Sequence, residues 1–266
     1  MFDGMGVYTV LLIFSAVILI ISLAGAYIPF LKKMDSRQVH LMVALSAGIF
    51  LGILFFMLLP ETFEEAEEAG RHSMDVVPWM IGGFLAVVFI DVLLKRRHMH
   101  VCACEECVDK EHGHELTSFS AFAGLAIHAA VDGMILSIGL NAGEEIGLIA
   151  LVGVSLHKFV ELFSLSSTFM LTDMNKRSRL VYMIIFAMIT PAAALLSMPM
   201  IGFIGGLDMF IPLAIATGTF MYVGIYALLP EAFHERRDSL FSFVLVVIGM
   251  TAIAMIMFML GDTHIH

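Results

Sequence analysis

Two short segments place histidine and carboxylate side chains inside long apolar runs. The run IHAAVDG contains His128 and Asp132, and the run HKFVE contains His157 and Glu161, 29 residues after the first pair. In each run the two residues stand four apart, so on a helix both side chains project from one face. Ionisable groups at membrane depth are costly and usually mark a substrate or ion pathway. Two imidazoles and two carboxylates that face one another suit a divalent transition metal such as zinc.

The chain around these runs has the composition of a membrane protein. It has 266 residues, of which 60% are hydrophobic and 14% are charged, whereas soluble domains carry about 25% charged residues. We therefore expect an all-α polytopic membrane protein that forms a single transmembrane domain over residues 1–266, with the lipid bilayer as its surroundings. The first apolar run is expected to be a retained helix, because MFDGMG lacks the basic region of a signal peptide. Nothing in the composition indicates nucleic-acid binding.

Eight apolar segments approach the ~20 residues that a helix needs to cross a bilayer. The fourth and fifth contain the histidines and acids, so we expect these side chains to face a lined interior. A short turn at residues 141–144 makes these two spans antiparallel, which brings both pairs to similar depth. The predicted spans are residues 7–31, 39–60, 77–94, 118–140, 145–171, 180–204, 210–230 and 240–261.

The basic residues predict the orientation in the membrane. Twelve of the 14 lysines and arginines fall in odd-numbered connections, and basic residues accumulate on the cytoplasmic side. Eight spans with cytoplasmic odd connections place both termini on the extracytoplasmic side of a plasma or inner membrane. The twelve are Lys32, Lys33, Arg37, Lys95, Arg96, Arg97, Lys110, Lys176, Arg177, Arg179, Arg236 and Arg237.

The outer connections are acidic instead. Two interpretations stay open for them: a solvated loop, or a weak field that concentrates cations at the outer opening. The acids are Glu61, Glu64, Glu65, Glu67, Glu68, Asp75, Glu144 and Glu145.

An internal repeat is visible in the sequence. Residues 58–63 read LLPETF and residues 228–233 read LLPEAF, an offset of 170 that also maps spans one, two and three onto six, seven and eight. Helices five apart in order cross the membrane in opposite directions, so the pattern predicts an inverted repeat, which is typical of secondary transporters. The predicted parts are a first repeat (7–94), a cytoplasmic loop (95–117), a central helix pair (118–171) and a second repeat (180–261).

The cytoplasmic loop is rich in soft metal ligands. Thiols stay reduced on this side, so they can bind metal as thiolates. Metal acquisition or sensing is the functional interpretation and a solvated, flexible loop is the alternative, since the spacing matches no closed four-ligand site. The candidate loop ligands are His98, His100, Cys102, Cys104, Cys107, His112 and His114. We expect His40, His72 and His234 to be interfacial residues.

HAAVDG followed by HKFVE resembles the paired fourth and fifth helices of the ZIP (Zrt/Irt-like) metal transporters. The eight spans, the outer termini and the LLPE endings of spans two and seven also resemble that family. The resemblance implies import of Zn²⁺ into the cytosol, with Fe²⁺ or Mn²⁺ as alternative cargo. It further implies a 3+2+3 helix arrangement, a homodimer and an elevator-like alternating-access motion.

The sequence departs from the family pattern at three positions together. Many members have Asn after the span-four His, an acid after the span-five His and Glu before a span-six Pro, and these groups hold a second metal. This chain has Ala129, Lys158 and Thr190 there. We therefore expect one transported metal, with Lys158 balancing the charge of the two carboxylates.

Three function classes follow from the residues. The main hypothesis is a zinc importer with the ligands His128, Asp132, His157 and Glu161, which is not an enzyme. The chief alternative is an intramembrane zinc hydrolase, although HExxH is absent and hydrolysis needs no inverted repeat. A metal sensor would keep the loop without requiring midplane ligands.

Overall fold

The computed structural model describes residues 6–31, 35–101, 111–172, 174–201, 208–233 and 238–261. Eight helices in this part of the chain are long and apolar enough to span a membrane, and the same residues contain no strand. The predicted all-α fold with eight spans is therefore confirmed. The spans are α1 (Val7–Phe30), α2 (Arg37–Glu68), α3 (Ser73–Arg96), α4 (Phe119–Asn141), α5 (Ile146–Phe169), α6 (Lys176–Met200), α7 (Phe210–Ala232) and α8 (Ser239–Met259).

Three spans extend as helix beyond their apolar segments. Helix α2 continues to Glu68. The acids between Glu61 and Glu68 therefore lie on the last turns of this helix, whereas the sequence had placed them in a loop. The helix that contains α3 reaches Val101, and the helix that contains α4 begins at Glu111. Glutamate is a good helix former, which explains why the helix persists after apolar residues end.

The helices fall into two groups by their packing. Helices α1, α4, α5 and α6 pack on one another and form the first group, which we call the central group. Helices α2, α3, α7 and α8 form the flanking group, in which α2 packs on α8 and α3 on α7. Large buried aromatic side chains also join α2 to α7 within the flanking group, where the rings of Phe50 and Phe220 stack with their centroids 3.6 Å apart.

Helices α2 and α7 share an irregular feature near their ends. Each contains π-helical turns, Leu54–Leu58 in α2 and Tyr222–Leu228 in α7, immediately before the LPE sequence. Proline cannot donate a backbone hydrogen bond, so the helix must rearrange where Pro60 follows. The Thr62 hydroxyl donates to the Leu58 carbonyl oxygen at 2.6 Å, which satisfies a backbone group in this region.

Candidate metal site

Helices α4 and α5 bring the four candidate ligands together in the interior. His128 and Asp132 lie one turn apart on α4, and His157 and Glu161 lie one turn apart on α5. All four are at most 3% exposed. The helices are antiparallel, because α4 ends at Asn141 and α5 begins at Ile146. Each histidine therefore meets the carboxylate of the other helix.

The four candidate ligands are close enough to share one metal ion. They all lie within 4.8 Å of one another. His128 Nε2 is 3.2 Å from Glu161 Oε1 and 3.5 Å from Asp132 Oδ1. His157 Nε2 is 3.3 Å from Asp132 Oδ2. A tetrahedral zinc with bonds of about 2.0–2.1 Å separates neighbouring ligand atoms by roughly 3.3–3.4 Å, which is close to the three contacts given above. The 4.8 Å limit for the whole set is wider, so the four side chains could hold such an ion after small movements.

A contact with α7 orients the ring of His128. Its Nδ1–H donates to the carbonyl oxygen of Ala216 at 3.3 Å, which leaves Nε2 as the acceptor nitrogen. Neither His128 Nε2 nor Glu161 Oε1 has a hydrogen-bond partner among the described residues. A nitrogen lone pair and carboxylate oxygens therefore face one another at close range, an arrangement that a cation stabilises.

Lys158 contacts one oxygen of each of the two carboxylates. Its Nζ is 2.7 Å from Asp132 Oδ2 and also contacts Glu161 Oε2, and the side chain is 1% exposed. The second oxygen of each carboxylate, Asp132 Oδ1 and Glu161 Oε1, is directed toward His128 Nε2. The ammonium thus neutralises part of the negative charge and leaves one oxygen of each carboxylate for a metal ion.

Close helix approaches hold the site helices in register. A Cβ built on Gly25 of α1 would lie 2.2 Å from the carbonyl oxygen of Phe159, next to Lys158. A Cβ built on Gly133 of α4 would lie 2.5 Å from the carbonyl oxygen of Thr190 on α6. The Thr190 hydroxyl donates to the Ala129 carbonyl oxygen at 2.9 Å, so two of the three positions that depart from the family pattern are adjacent.

A cavity of about 640 Å³ reaches the cluster from one side of the membrane. Its wall includes Asp132 and His157 from the cluster and Glu61, Glu64 and Glu65 from the end of α2. We call this the acidic side, where the connections that follow α2, α4 and α6 lie. The opposite side, where the connections that follow α1, α3, α5 and α7 lie, is the basic side.

Sequence reasoning missed several polar contacts. Glu61 was assigned to a loop, but it lines the cavity beside the cluster. His40, expected at the interface, is buried, with its Nδ1 3.4 Å from Glu231 Oε1 of α7. His72 is exposed and accepts a hydrogen bond from the Met74 backbone N–H. The second LLPE sequence could have indicated this partner. It places Glu231 at the end of α7 that lies on the same side as the start of α2, where His40 lies.

A further polar cluster joins the two helix groups near the basic side. Asp91 of α3 contacts Lys95 Nζ at 2.7 Å and accepts a hydrogen bond from the Ser120 hydroxyl of α4 at 2.5 Å. The four-residue spacing of Asp91 and Lys95 in an apolar span was the signal for this pair.

The candidate loop ligands lie outside this description. Cys102, Cys104 and Cys107 fall among residues whose structure is not described, as does His234. The side chains of the four loop histidines are likewise not described, so metal binding by the loop stays a prediction.

Comparisons with known proteins identify the family. The family model described as ZIP Zinc transporter matches residues 8–115 and 96–257. Protein zntD of Dictyostelium discoideum is 26% identical over 168 residues, which are 61% of this chain and 24% of that protein. Zinc transporter ZIP1 of Danio rerio is 25% identical over 152 residues, which are 56% of this chain and 50% of that protein. The match therefore spans at most half the length of these relatives.

The family match and the structure cover the same part of the chain. The matched residues reach into all eight described spans and include the four clustered side chains of α4 and α5. The chain belongs to the ZIP zinc transporter family.

Proposed function

We propose that the protein carries a divalent transition-metal ion across the membrane, with zinc as its main cargo and Fe²⁺ or Mn²⁺ as alternatives. His128, Asp132, His157 and Glu161 are the ligands in this proposal. The observation that carries it is the buried cluster itself, whose four ligand atoms lie within 4.8 Å of one another between membrane-spanning helices. Mixed imidazole and carboxylate ligands suit these metals better than they suit calcium or magnesium.

The charges of the site support reversible binding. Two carboxylates and one ammonium give the empty site a formal charge of about −1 when both histidines are neutral, and a divalent ion changes this to about +1. Neither state leaves a large uncompensated charge in the interior, where such a charge is very costly. A site of this kind can be empty or loaded without unfolding its surroundings.

The distribution of charged residues supports transport toward the cytosol. The cavity connects the cluster with the acidic side, which the excess of basic residues elsewhere assigns to the outside. Transport then runs toward the cytosol. All four ligands belong to the central group, so movement of this group against the flanking group would carry the bound ion across. This is the elevator-like alternating access that the family resemblance implies, and a homodimer belongs to the same proposal.

Zinc uptake into proteoliposomes tests the proposal. Reconstituted protein should give saturable uptake, and His157→Ala or Glu161→Ala should abolish it while leaving the protein in the membrane. Loss of one ligand removes a bond to the ion, and loss of Glu161 also leaves the charges of the loaded site unbalanced. His72→Ala is the matched control, because it removes an exposed histidine far from the cluster in sequence.

Two outcomes would contradict the proposal. Wild-type rates in both ligand variants would place the transport site elsewhere. Metal-dependent hydrolysis of a peptide or lipid without zinc flux would favour the intramembrane hydrolase. The family to which the chain belongs is one of transporters, which favours flux.

A further inference from the structure

Helix α4 makes polar contacts with the flanking group at two depths. Ser120, near the basic end of the helix, donates its hydroxyl to Asp91 Oδ1 of α3 at 2.5 Å. His128, two turns further along, contacts the Ala216 carbonyl oxygen of α7 through its Nδ1. The two α4 residues are eight apart, so both project from one face of the helix, about 12 Å apart along its axis. This face is where α4 of the central group meets the flanking group.

Between these two contacts the face of α4 is small and apolar. Gly124 lies one turn from each, and a Cβ built on it would lie 3.0 Å from Val223 Cγ2 of α7 and 3.1 Å from Val87 Cγ1 of α3. The glycine therefore allows α4 to lie close against both flanking helices. Apolar contacts resist sliding only weakly, because a displaced methyl group gains new contacts as it loses old ones. A buried carboxylate that loses its hydroxyl partner loses a whole hydrogen bond.

Asp91 is held in place by residues of the flanking group. Its other oxygen, Oδ2, contacts Lys95 Nζ at 2.7 Å, and this ammonium also lies 3.5 Å from the Tyr226 hydroxyl of α7. Oδ1 is therefore the carboxylate oxygen that is directed to α4. The Asp91 side chain is 5% exposed and that of Lys95 is 41% exposed, so the buried carboxylate lies next to the surface at the basic side. Water that hydrates Lys95 can also hydrate Asp91 when Ser120 moves away.

We propose that Ser120 and Asp91 are positioning residues of the transport cycle. Their hydrogen bond holds the basic end of α4 against α3 while the cavity reaches the metal ligands from the acidic side. The inference rests on the proposed function, in which the central group moves against the flanking group. The bond then breaks in each cycle, and Asp91 exchanges the serine hydroxyl for water of the basic side. Its strength sets the fraction of empty protein whose cavity is open to the acidic side.

Ser137 supplies a matched comparison on the same helix. Its buried hydroxyl donates to the Ala194 carbonyl oxygen of α6, also at 2.5 Å. Helices α4 and α6 both belong to the central group, so this bond moves with the group and does not cross its boundary. Loss of either hydroxyl should cost a similar amount of stability. Only loss of the Ser120 hydroxyl should change the ratio of the two orientations of the central group.

A single cysteine at Gly153 of α5 reports whether the cavity is open. Gly153 lies in the cavity wall, one turn before His157, and a Cβ built on it would meet only Met57 Cε, 3.7 Å away. In a background with the three native cysteines replaced by Ser, a small impermeant thiol reagent is added from the acidic side to zinc-free protein. The rate at which it labels Gly153→Cys measures the fraction of protein whose cavity is open to that side.

Ser120→Ala should lower the ratio of open to closed cavities by roughly three- to tenfold, the effect of losing one hydrogen bond on a two-state equilibrium. Labelling of Gly153→Cys should slow, and the KM for zinc uptake should rise in protein that keeps Gly153, because fewer molecules are competent to bind. Ser137→Ala should match the parent protein in both measurements. Ser120→Thr keeps a hydroxyl and should restore both toward the parent values.

A double-mutant cycle assigns the effect to the pair of residues. Asp91→Ala should itself slow the labelling of Gly153→Cys. Ser120→Ala should have no further effect in the Asp91→Ala background, because the partner of the hydroxyl is already absent.

The results separate the two proposals. Equal labelling rates and equal KM values for Ser120→Ala and Ser137→Ala would overturn the positioning role and leave the transport proposal intact. An undiminished effect of Ser120→Ala in folded Asp91→Ala protein would also overturn it, since the hydroxyl would then act through another partner. Absence of zinc uptake in correctly folded wild-type protein would contradict the proposed function itself, whatever the labelling rates.

Discussion

Lys158 is the residue that gives this site its particular chemistry. Its ammonium contacts one carboxylate oxygen of Asp132 and one of Glu161. The other oxygen of each carboxylate is oriented toward His128 Nε2. Its Nζ also lies 5.8 Å from the centre of the Phe186 ring, a second favourable contact for a buried cation. We infer that the ammonium of Lys158 supplies, within the protein itself, part of the positive charge that the two carboxylates need.

Replacement of Lys158 should therefore strengthen zinc binding and slow transport. Lys158→Met keeps the length of the side chain but removes the ammonium, so both carboxylates become fully available to the ion. We expect zinc affinity to rise by roughly tenfold, which corresponds to about 1.4 kcal/mol, and turnover to fall because release is slower. Competition with a calibrated chelator measures the affinity, and initial uptake rates measure turnover.

Lys176→Met is the control for this substitution, since Lys176 is exposed at the start of α6. Weaker zinc binding by folded Lys158→Met protein would contradict the charge-balancing role and assign Lys158 a purely structural one.

The loop cysteines should affect metal binding without being needed for transport. Replacement of Cys102, Cys104 and Cys107 by Ser should leave the rate of zinc uptake largely intact, because the loop lies outside the predicted spans. It should lower the number of zinc ions bound by the purified protein on the cytosolic side. Equilibrium dialysis measures the stoichiometry. Complete loss of uptake in folded protein would instead make the loop part of the transport pathway.

The extent to which the site could be predicted depends on sequence distance. His128, Asp132, His157 and Glu161 lie on consecutive antiparallel helices, so their four-residue spacing was enough to predict that they meet. Glu61 could not be assigned in this way, because its position in the cavity depends on how α2 packs against α5, a contact between distant parts of the sequence. The contact of His128 with the Ala216 carbonyl oxygen was equally invisible, since any residue type supplies that acceptor.

At the scale of helices, pairs of glycine contacts support the inverted repeat. A Cβ on Gly48 of α2 would lie 2.1 Å from the Val246 carbonyl oxygen of α8, and one on Gly218 of α7 would lie 2.0 Å from the Met80 carbonyl oxygen of α3. Gly48 and Gly218 are 170 residues apart, whereas Met80 and Val246 are 166 apart. The inverted repeat stays a prediction, and in it the offset between α3 and α8 would be about one helical turn shorter than the 170 residues of the sequence match.

Ion pairs at the helix ends connect the same two pairs of helices, α2 with α8 and α3 with α7. Arg37, at the start of α2, pairs with Asp238, just before α8, and their closest N–O distance is 2.6 Å. Asp208, before α7, pairs with Arg71, before α3, also at 2.6 Å. These contacts join the same helix pairs as the glycines do, one pair at each end of the flanking group. They could not be predicted from charge patterns, because the two partners of each pair are more than 130 residues apart in the sequence.

Substitution of a packed glycine should destabilise the flanking group. A Cβ on Gly83 of α3 would lie 2.1 Å from the Ile215 carbonyl oxygen of α7, whereas one on the neighbouring Gly82 would have nothing within 4 Å. We expect Gly83→Ala to lower the free energy of unfolding by about 1–3 kcal/mol, the usual cost of overpacking. Gly82→Ala should be neutral or slightly stabilising, because alanine is the better helix former. Thermal unfolding of both purified variants in the same detergent measures the difference.

Equal unfolding midpoints for Gly82→Ala and Gly83→Ala would contradict the close approach of α3 and α7. A lower midpoint for Gly83→Ala with unchanged KM for zinc would show that the flanking group contributes stability without shaping the metal site.

At the scale of the whole molecule, charge and cavity are both asymmetric. The cavity opens on the acidic side, where Glu61, Glu64 and Glu65 line it. The described basic residues of the odd connections, among them Arg37 and Lys176, lie at the other side. The spans themselves were predictable because apolar length is a local property of the sequence. The cavity was not, because it arises from the arrangement of the central and flanking groups.

Labelling of single cysteines tests the orientation on which the direction of transport depends. In a background with the three native cysteines replaced by Ser, we expect Glu68→Cys on the acidic side to react with a membrane-impermeant maleimide in intact cells. Lys176→Cys on the basic side should react only after permeabilisation, because basic connections stay in the cytoplasm. Both positions are exposed, so the two variants differ in side and not in burial. The reverse labelling pattern would place the cavity on the cytoplasmic side, and uptake would then have to begin from a second conformation in which the basic side is open.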